Sequence, residues 1–169
     1  MKPKLVINTR RDSKGRIRVS SLMDDQIIGQ MTVIGVVGFR RRNSDEDRQL
    51  VYKAIHHTRQ HIGGNTILVS GGCPQGADLF AEEYAEMHRL PIIRHLPDQT
   101  QLREDVPKRA AYAIINYARN ELIAADADVL IACVAPDRKG GTEDTIKKFL
   151  KRLGFTEVQA IQEGKLILV

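Results

Sequence analysis

The stretch Thr66-Ile67-Leu68-Val69-Ser70-Gly71-Gly72-Cys73-Pro74-Gln75-Gly76-Ala77-Asp78 decides the fold. An apolar run ends in closely spaced glycines, and Ala77, Phe80, Ala81, Tyr84 and Ala85 then recur at helical spacing. Strand, glycine-rich turn and helix together aim unpaired amides and a positive helix end at an anion. Glycine lets the chain turn through positive φ and lets a ligand approach without meeting a Cβ. A second loop of this kind, Gly140-Gly141-Thr142-Glu143-Asp144, lies between the apolar run Asp128–Val134 and a helix striped by Ile146, Phe149, Leu150 and Leu153.

The same alternation extends outward in both directions. Thr32–Gly38 reads as a strand covered on both faces, followed by a helix over Asp45–Ile62 with Ser44 or Asn43 as its cap and Gly63-Gly64 as its stop. Thr66–Ser70 is the second strand, with a helix from about Ala77 to Arg89. Pro91–Leu96 is the third strand, and the helix from Lys108 to Ala125 follows a polar loop. Asp128–Val134 and Leu166–Val169 supply two more strands, separated by the helix Thr142–Leu153. Regular alternation with short connections predicts an α/β, Rossmann-like, doubly wound parallel sheet. The glycine distribution favours strand order 3-2-1-4-5, which sets the reversal point between the first and fourth strands, where open sheets bind ligands.

That order brings three segments to one cleft: Gly38-Phe39-Arg40, Ser70 to Asp78, and Gly140-Gly141-Thr142. Two helix amino-ends would then face a shared anion, with Arg40 and Arg119 as cations and Thr142 capping its helix. Asp78 has two readings, a partner for a ribose hydroxyl or a charge at its helix start, and Phe39 has two as well, a ring on a base or a core side chain. Neither loop is GxxxxGK[ST], and no GxGxxG follows the first strand, which argues against a Walker NTPase and an ordinary dinucleotide site.

Composition bounds the rest. The chain has 169 residues, 42% hydrophobic and 28% charged, ordinary values for one globular domain. Its net charge of +5 is concentrated: residues 1–18 carry seven Lys/Arg against Asp12 alone, whereas the remainder is almost neutral. Leu5–Thr9 and Ile17–Ser20 flank the turn residues Asp12–Gly15, so residues 1–30 read as a basic β-hairpin and a connector, and 31–169 as the main domain. No apolar run approaches the ~20 residues that span a bilayer. The start lacks a signal-like apolar stretch, and Cys73 and Cys133 form no disulfide framework or zinc pattern, so a cytoplasmic protein is expected. His57 and His61 lack further ligands, and nothing in the sequence calls for a metal or a resident cofactor.

Four ordered motifs carry a resemblance. Val33-Ile34-Gly35-Val36-Val37-Gly38-Phe39-Arg40, Val69 to Asp78, Arg119-Asn120 and Gly140-Gly141-Thr142 resemble the SLOG superfamily, which joins the SMF/DprA proteins with the LONELY GUY phosphoribohydrolases. The nearest likeness is to its small YspA/YpsA-like branch. The resemblance implies a Rossmann-like fold, a cleft for a nucleotide or nucleotide-derived small molecule, and pairing into homo-oligomers. It places the ligand on Gly38, Phe39, Arg40, Ser70, Gly71, Gly72, Gly76, Asp78, Arg119, Asn120, Gly140, Gly141 and Thr142. The superfamily's enzymes cleave the N-glycosidic bond of nucleoside 5′-monophosphates with an arginine and the glutamate of a PGGxGTxxE loop. Here Arg119 matches that arginine loosely, and Glu143 and Asp144 stand out of register with the glutamate. Hydrolysis needs a carboxylate to handle water while oxocarbenium charge forms. Ligand binding or sensing is therefore the first expectation, and phosphoribohydrolase activity through Arg119, Glu143 and Asp144 the alternative. DprA-like DNA binding through the basic arm comes last.

Overall fold

A computed structural model describes residues 6–11, 17–23 and 26–169. Val6–Arg11 (β1), Ile17–Met23 (β2) and Gln26–Gln30 (β3) form a small antiparallel sheet in the order β1-β2-β3. The turn expected at Asp12–Gly15 lies outside the described residues, and part of the expected connector is the strand β3.

The main sheet follows. Thr32–Gly38 (β4), Thr66–Ser70 (β5), Ile92–Arg94 (β6), Val129–Cys133 (β7) and Leu166–Leu168 (β8) are all parallel, in the order β6-β5-β4-β7-β8. Counted from β4, this is the 3-2-1-4-5 order read from the glycines. β5 and β7 are buried along their whole length, as strands covered on both faces must be.

Among the described residues, five α-helices accompany the sheet: Asp45–Ile62 (α1), Ala77–Met87 (α2), Lys108–Asp126 (α3), Gly141–Leu153 (α4) and Glu157–Gln162 (α5). Ser44 starts α1 with a capping box closed by Asp47, and Gly63, at φ 58°, ends it. On one face Ile34, Ile55, Leu68, Phe80 and Ile131 pack under α1 and α2. On the other, Val69, Ile123, Leu130, Ile146 and Phe149 pack under α3 and α4. Phe80 and Phe149 are each wholly buried, contributing about 1.5–3 kcal/mol apiece by area.

The departures from expectation are local. The third strand shrinks to Ile92–Arg94 because it is a sheet edge that begins after Pro91 and whose Arg94 is exposed. Helix α5 was not foreseen, although Thr156 and Gln159 form a full capping box at its start. Helix α4 begins at Gly141, one residue early, with Gly140 at the cap position. Thr142 therefore sits inside the first turn and is not the cap. Among the described residues no helix is long and apolar enough to cross a membrane.

Candidate functional site

The strand order opens a cleft over the carboxyl end of β4, between the loops after β5 and β7. It encloses about 450 Å³, within the size range of small-molecule sites. Gly38, Phe39, Arg40 and Asp78 border it from the β4 and β5 side, and Arg119, Asn120, Gly141 and Thr142 from the α3 and α4 side.

Helix α3 provides the floor. Asn116, Arg119, Asn120 and Ile123 follow one another at i, i+3, i+4 and i+7, so one face of the helix turns into the cleft. The Arg119 guanidinium is held from three directions. It donates to the Gly71 carbonyl, its Nε donates to Asn120 Oδ1 at 3.0 Å, and Nη2 reaches Asn116 Oδ1 at 3.4 Å. Burial pulls its pKa down, and the nearby Asp78 charge opposes that shift. Asn120, itself buried, donates to the Gly141 carbonyl at 3.2 Å and to Asp144 Oδ2 at 3.1 Å, joining the start of α4 to α3.

The amino end of α4 carries no side-chain cap. The first turn of any helix leaves its amides without helical acceptors, and here Gly141 and Thr142 sit at the cleft wall. A positive helix end thus faces the same space as Arg119 and the exposed Arg40.

The first glycine loop is organised differently. Gly72 N–H donates to Ser70 Oγ at 3.2 Å, Cys73 N–H to Asp78 Oδ2 at 3.1 Å, and Gly76 N–H to Asn43 Oδ1 at 2.8 Å. Ser70 Oγ in turn donates to Glu82 Oε1 at 3.2 Å. These amides already serve the protein's own acceptors, so the loop shapes a wall where the sequence suggests an open anion cradle. Ser70, Gly71, Gly72 and Gly76 do not border the cavity. A Cβ at Gly71 would lie 2.0 Å from Arg119 Nη1 and 2.8 Å from Asp78 Oδ2, so a side chain there would displace the guanidinium.

Asp78 is the carboxylate at the cleft. It is 7% exposed, and burial pushes its pKa up to about 6, against the lowering pull of the Cys73 N–H and of Arg119. Glu143 and Asp144 do not border the cavity. Arg138 grips Glu143 through Nε and Nη2 and Glu157 through Nη1 and the same Nη2, which raises the Arg138 pKa, the Glu143 bonds contributing most. Asp144 accepts from Asn120 and from Lys148 Nζ at 2.9 Å. Gly140, at φ 91°, provides the turn into α4.

Several lining residues escaped sequence reasoning. Asn116 and Tyr117 stand three and two positions before Arg119, and Cys73 lies within the glycine loop. Arg42, just beyond the lining residues Arg40 and Arg41, donates to the Val134 and Val169 carbonyls at 3.0 and 2.9 Å and pairs with Asp47. Arg41 lies over the Phe39 ring, 4.5 Å from its centroid. Among the described residues no group of three His, Cys, Asp or Glu is placed to hold a metal ion.

The two thiols differ in a way that labelling can read. Cys133 is fully buried in β7, and its pKa is pushed up to about 11 by burial, whereas Cys73 borders the cleft. A maleimide is expected to modify one thiol per native chain, at Cys73, and two after denaturation. Peptide mass spectrometry that found Cys133 labelled in the native protein would contradict this packing.

A parallel open sheet with a cleft at its reversal point defines a Rossmann-like α/β domain. Residues 40–101 match the model of the YspA, cpYpsA-related SLOG family, to which that part of the chain is similar. No curated protein matches the sequence. Among solved structures, the fold is similar to the molybdenum cofactor binding protein from the phototrophic bacterium Rippkaea orientalis. The TM-score is 0.54 at 19% identity, over 82% of this chain and 89% of that one. It is also similar to the molybdenum cofactor carrier protein MCP from Chlamydomonas reinhardtii, with a TM-score of 0.54, 18% identity and the same coverages. These likenesses are of fold.

Proposed function

We propose that the cleft binds a small ligand made of a flat ring and an anionic group, a nucleotide or nucleotide derivative, and holds it without rapid turnover. The observation that carries this is the uncapped amino end of α4, which faces the same cavity as Arg119 and Arg40. Backbone amides, a helix dipole and two guanidinium groups together suit a phosphate. Phe39 and Tyr117 border the same cavity, and aromatic side chains suit a planar heterocycle. The structural neighbours support such a use of the fold, since one is a molybdenum cofactor binding protein and the other a molybdenum cofactor carrier protein.

Binding is favoured over hydrolysis because the two carboxylates nearest the family's catalytic position are engaged elsewhere, Glu143 by Arg138 and Asp144 by Asn120 and Lys148. Thermal shift with a panel of nucleoside mono- and diphosphates tests the reading. At 100 times the dissociation constant a bound member adds about 2.7 kcal/mol of stability. An unfolding midpoint unmoved by every member at millimolar concentration would sink it. Chromatography of AMP after incubation with the protein is expected to show no released base.

A further inference from the structure

Asp78 is unusual in the cleft because it is an anion among groups that otherwise attract anions. Its carboxylate is nine-tenths buried, yet it borders the cavity. Within the protein its Oδ2 accepts the Cys73 N–H at 3.1 Å, and the Gly71 N–H adds a weaker contribution. An ionised carboxylate has about four acceptor sites, so these amides leave capacity over. The nearest cation does not take it up: Arg119 directs its guanidinium to the Gly71 carbonyl, Asn116 and Asn120. Glu82, one turn further along α2, adds negative charge and is itself committed to Ser70 and Arg94. A buried charge with unfilled acceptor sites is costly unless donors arrive from elsewhere. The cavity is the open side.

We infer that Asp78 is the specificity-determining residue of the cleft, accepting a pair of adjacent hydrogen-bond donors from the ligand. Paired donors of that spacing occur in two places on a nucleotide. One is a ring edge carrying a ring N–H beside an exocyclic amine, as in guanine; the other is the 2′,3′-diol of ribose. An adenine ring edge presents an acceptor at the corresponding position and would leave the carboxylate short of a partner. The inference rests on the proposed binding of a nucleotide-like ligand and adds what the site demands of it.

Isothermal titration of the wild-type protein and Asp78→Asn with GMP, AMP and 2′-deoxy-GMP separates the cases. Asparagine keeps an acceptor for the Cys73 N–H but presents one donor where the carboxylate presented a second acceptor. If the ring edge is read, the wild type binds GMP and 2′-deoxy-GMP about tenfold more tightly than AMP. If the diol is read, GMP and AMP bind alike and 2′-deoxy-GMP binds about tenfold more weakly. In either case Asp78→Asn brings the three ligands to within about twofold of one another. A preference unchanged in Asp78→Asn, or a parallel loss for all three ligands, overturns the assignment and leaves the binding proposal standing. A wild-type protein that binds none of them overturns both.

Discussion

Gly38→Ala is expected to lower the unfolding free energy by about 3 kcal/mol, the upper end for adding a methyl to a packed interior. The added Cβ would lie 2.5 Å from Ala77 Cβ, 3.0 Å from Cys133 Cβ and 3.3 Å from the Cys133 carbonyl. None of these atoms is the free end of a flexible side chain. Ala77 is the first residue of α2 and Cys133 the last of β7, so relief requires moving a helix start or a strand end. For a domain of this size, 3 kcal/mol is about 6–12 °C in the unfolding midpoint. Gly141→Ala is the control, because its nearest neighbour is Asn120 Nδ2 at 3.4 Å, an ordinary contact. Urea denaturation of both variants reads the difference. A Gly38→Ala loss below 1 kcal/mol would mean that α2 does not seat against β4 as closely as described.

Asp78→Asn is expected to act in the opposite direction, raising stability by about 1–3 kcal/mol at pH 7.5. Folding lifts the Asp78 pKa from an ordinary 3.8 to about 6 because burial disfavours the charged form. Between those two values the folded protein holds a proton that the unfolded chain has already released. Stability therefore falls as pH rises through the window from 3.8 to 6, and the full cost is present above it. Asparagine has no such charge and escapes the cost. Its advantage is expected to be largest above pH 6 and to vanish below about pH 4, where Asp78 is neutral in both states. Denaturant curves for the two proteins from pH 4 to 8 show it as a converging pair. A constant difference across that range would exclude the carboxylate's charge as its origin.

Much of the fold was legible because its central strands are extreme. Thr66–Ser70 and Val129–Cys133 are buried on both faces, and such strands read as continuous apolar runs bounded by turn residues. Edge strands carry a weaker signal, which is why Pro91–Leu96 contracts to Ile92–Arg94. The pattern Thr156-x-x-Gln159 announces α5, but its six residues make too short a stripe for periodicity to register.

The site was legible in its location and less so in its wiring. Arg119, Asp78 and the start of α4 come together because strand order dictates it. That the amides of the first glycine loop are taken by Ser70, Asp78 and Asn43 could not be read, since Asn43 arrives from 33 residues away. Glu143 was attractive as a reactive group from its place beside the glycines. Its engagement with Arg138 depends on a residue at φ 48°, a backbone choice that motif spacing does not encode.

The self-satisfied loop after β5 has a kinetic consequence. Because Gly72, Cys73 and Gly76 are already tethered, that side of the cavity has little configurational freedom left to lose when a guest arrives. Arg42 tethers the neighbouring loop after β4 to the ends of β7 and β8. Under the proposed binding, capture needs no slow rearrangement of this side, so differences in affinity among guests are expected to lie in residence time more than in the rate of uptake.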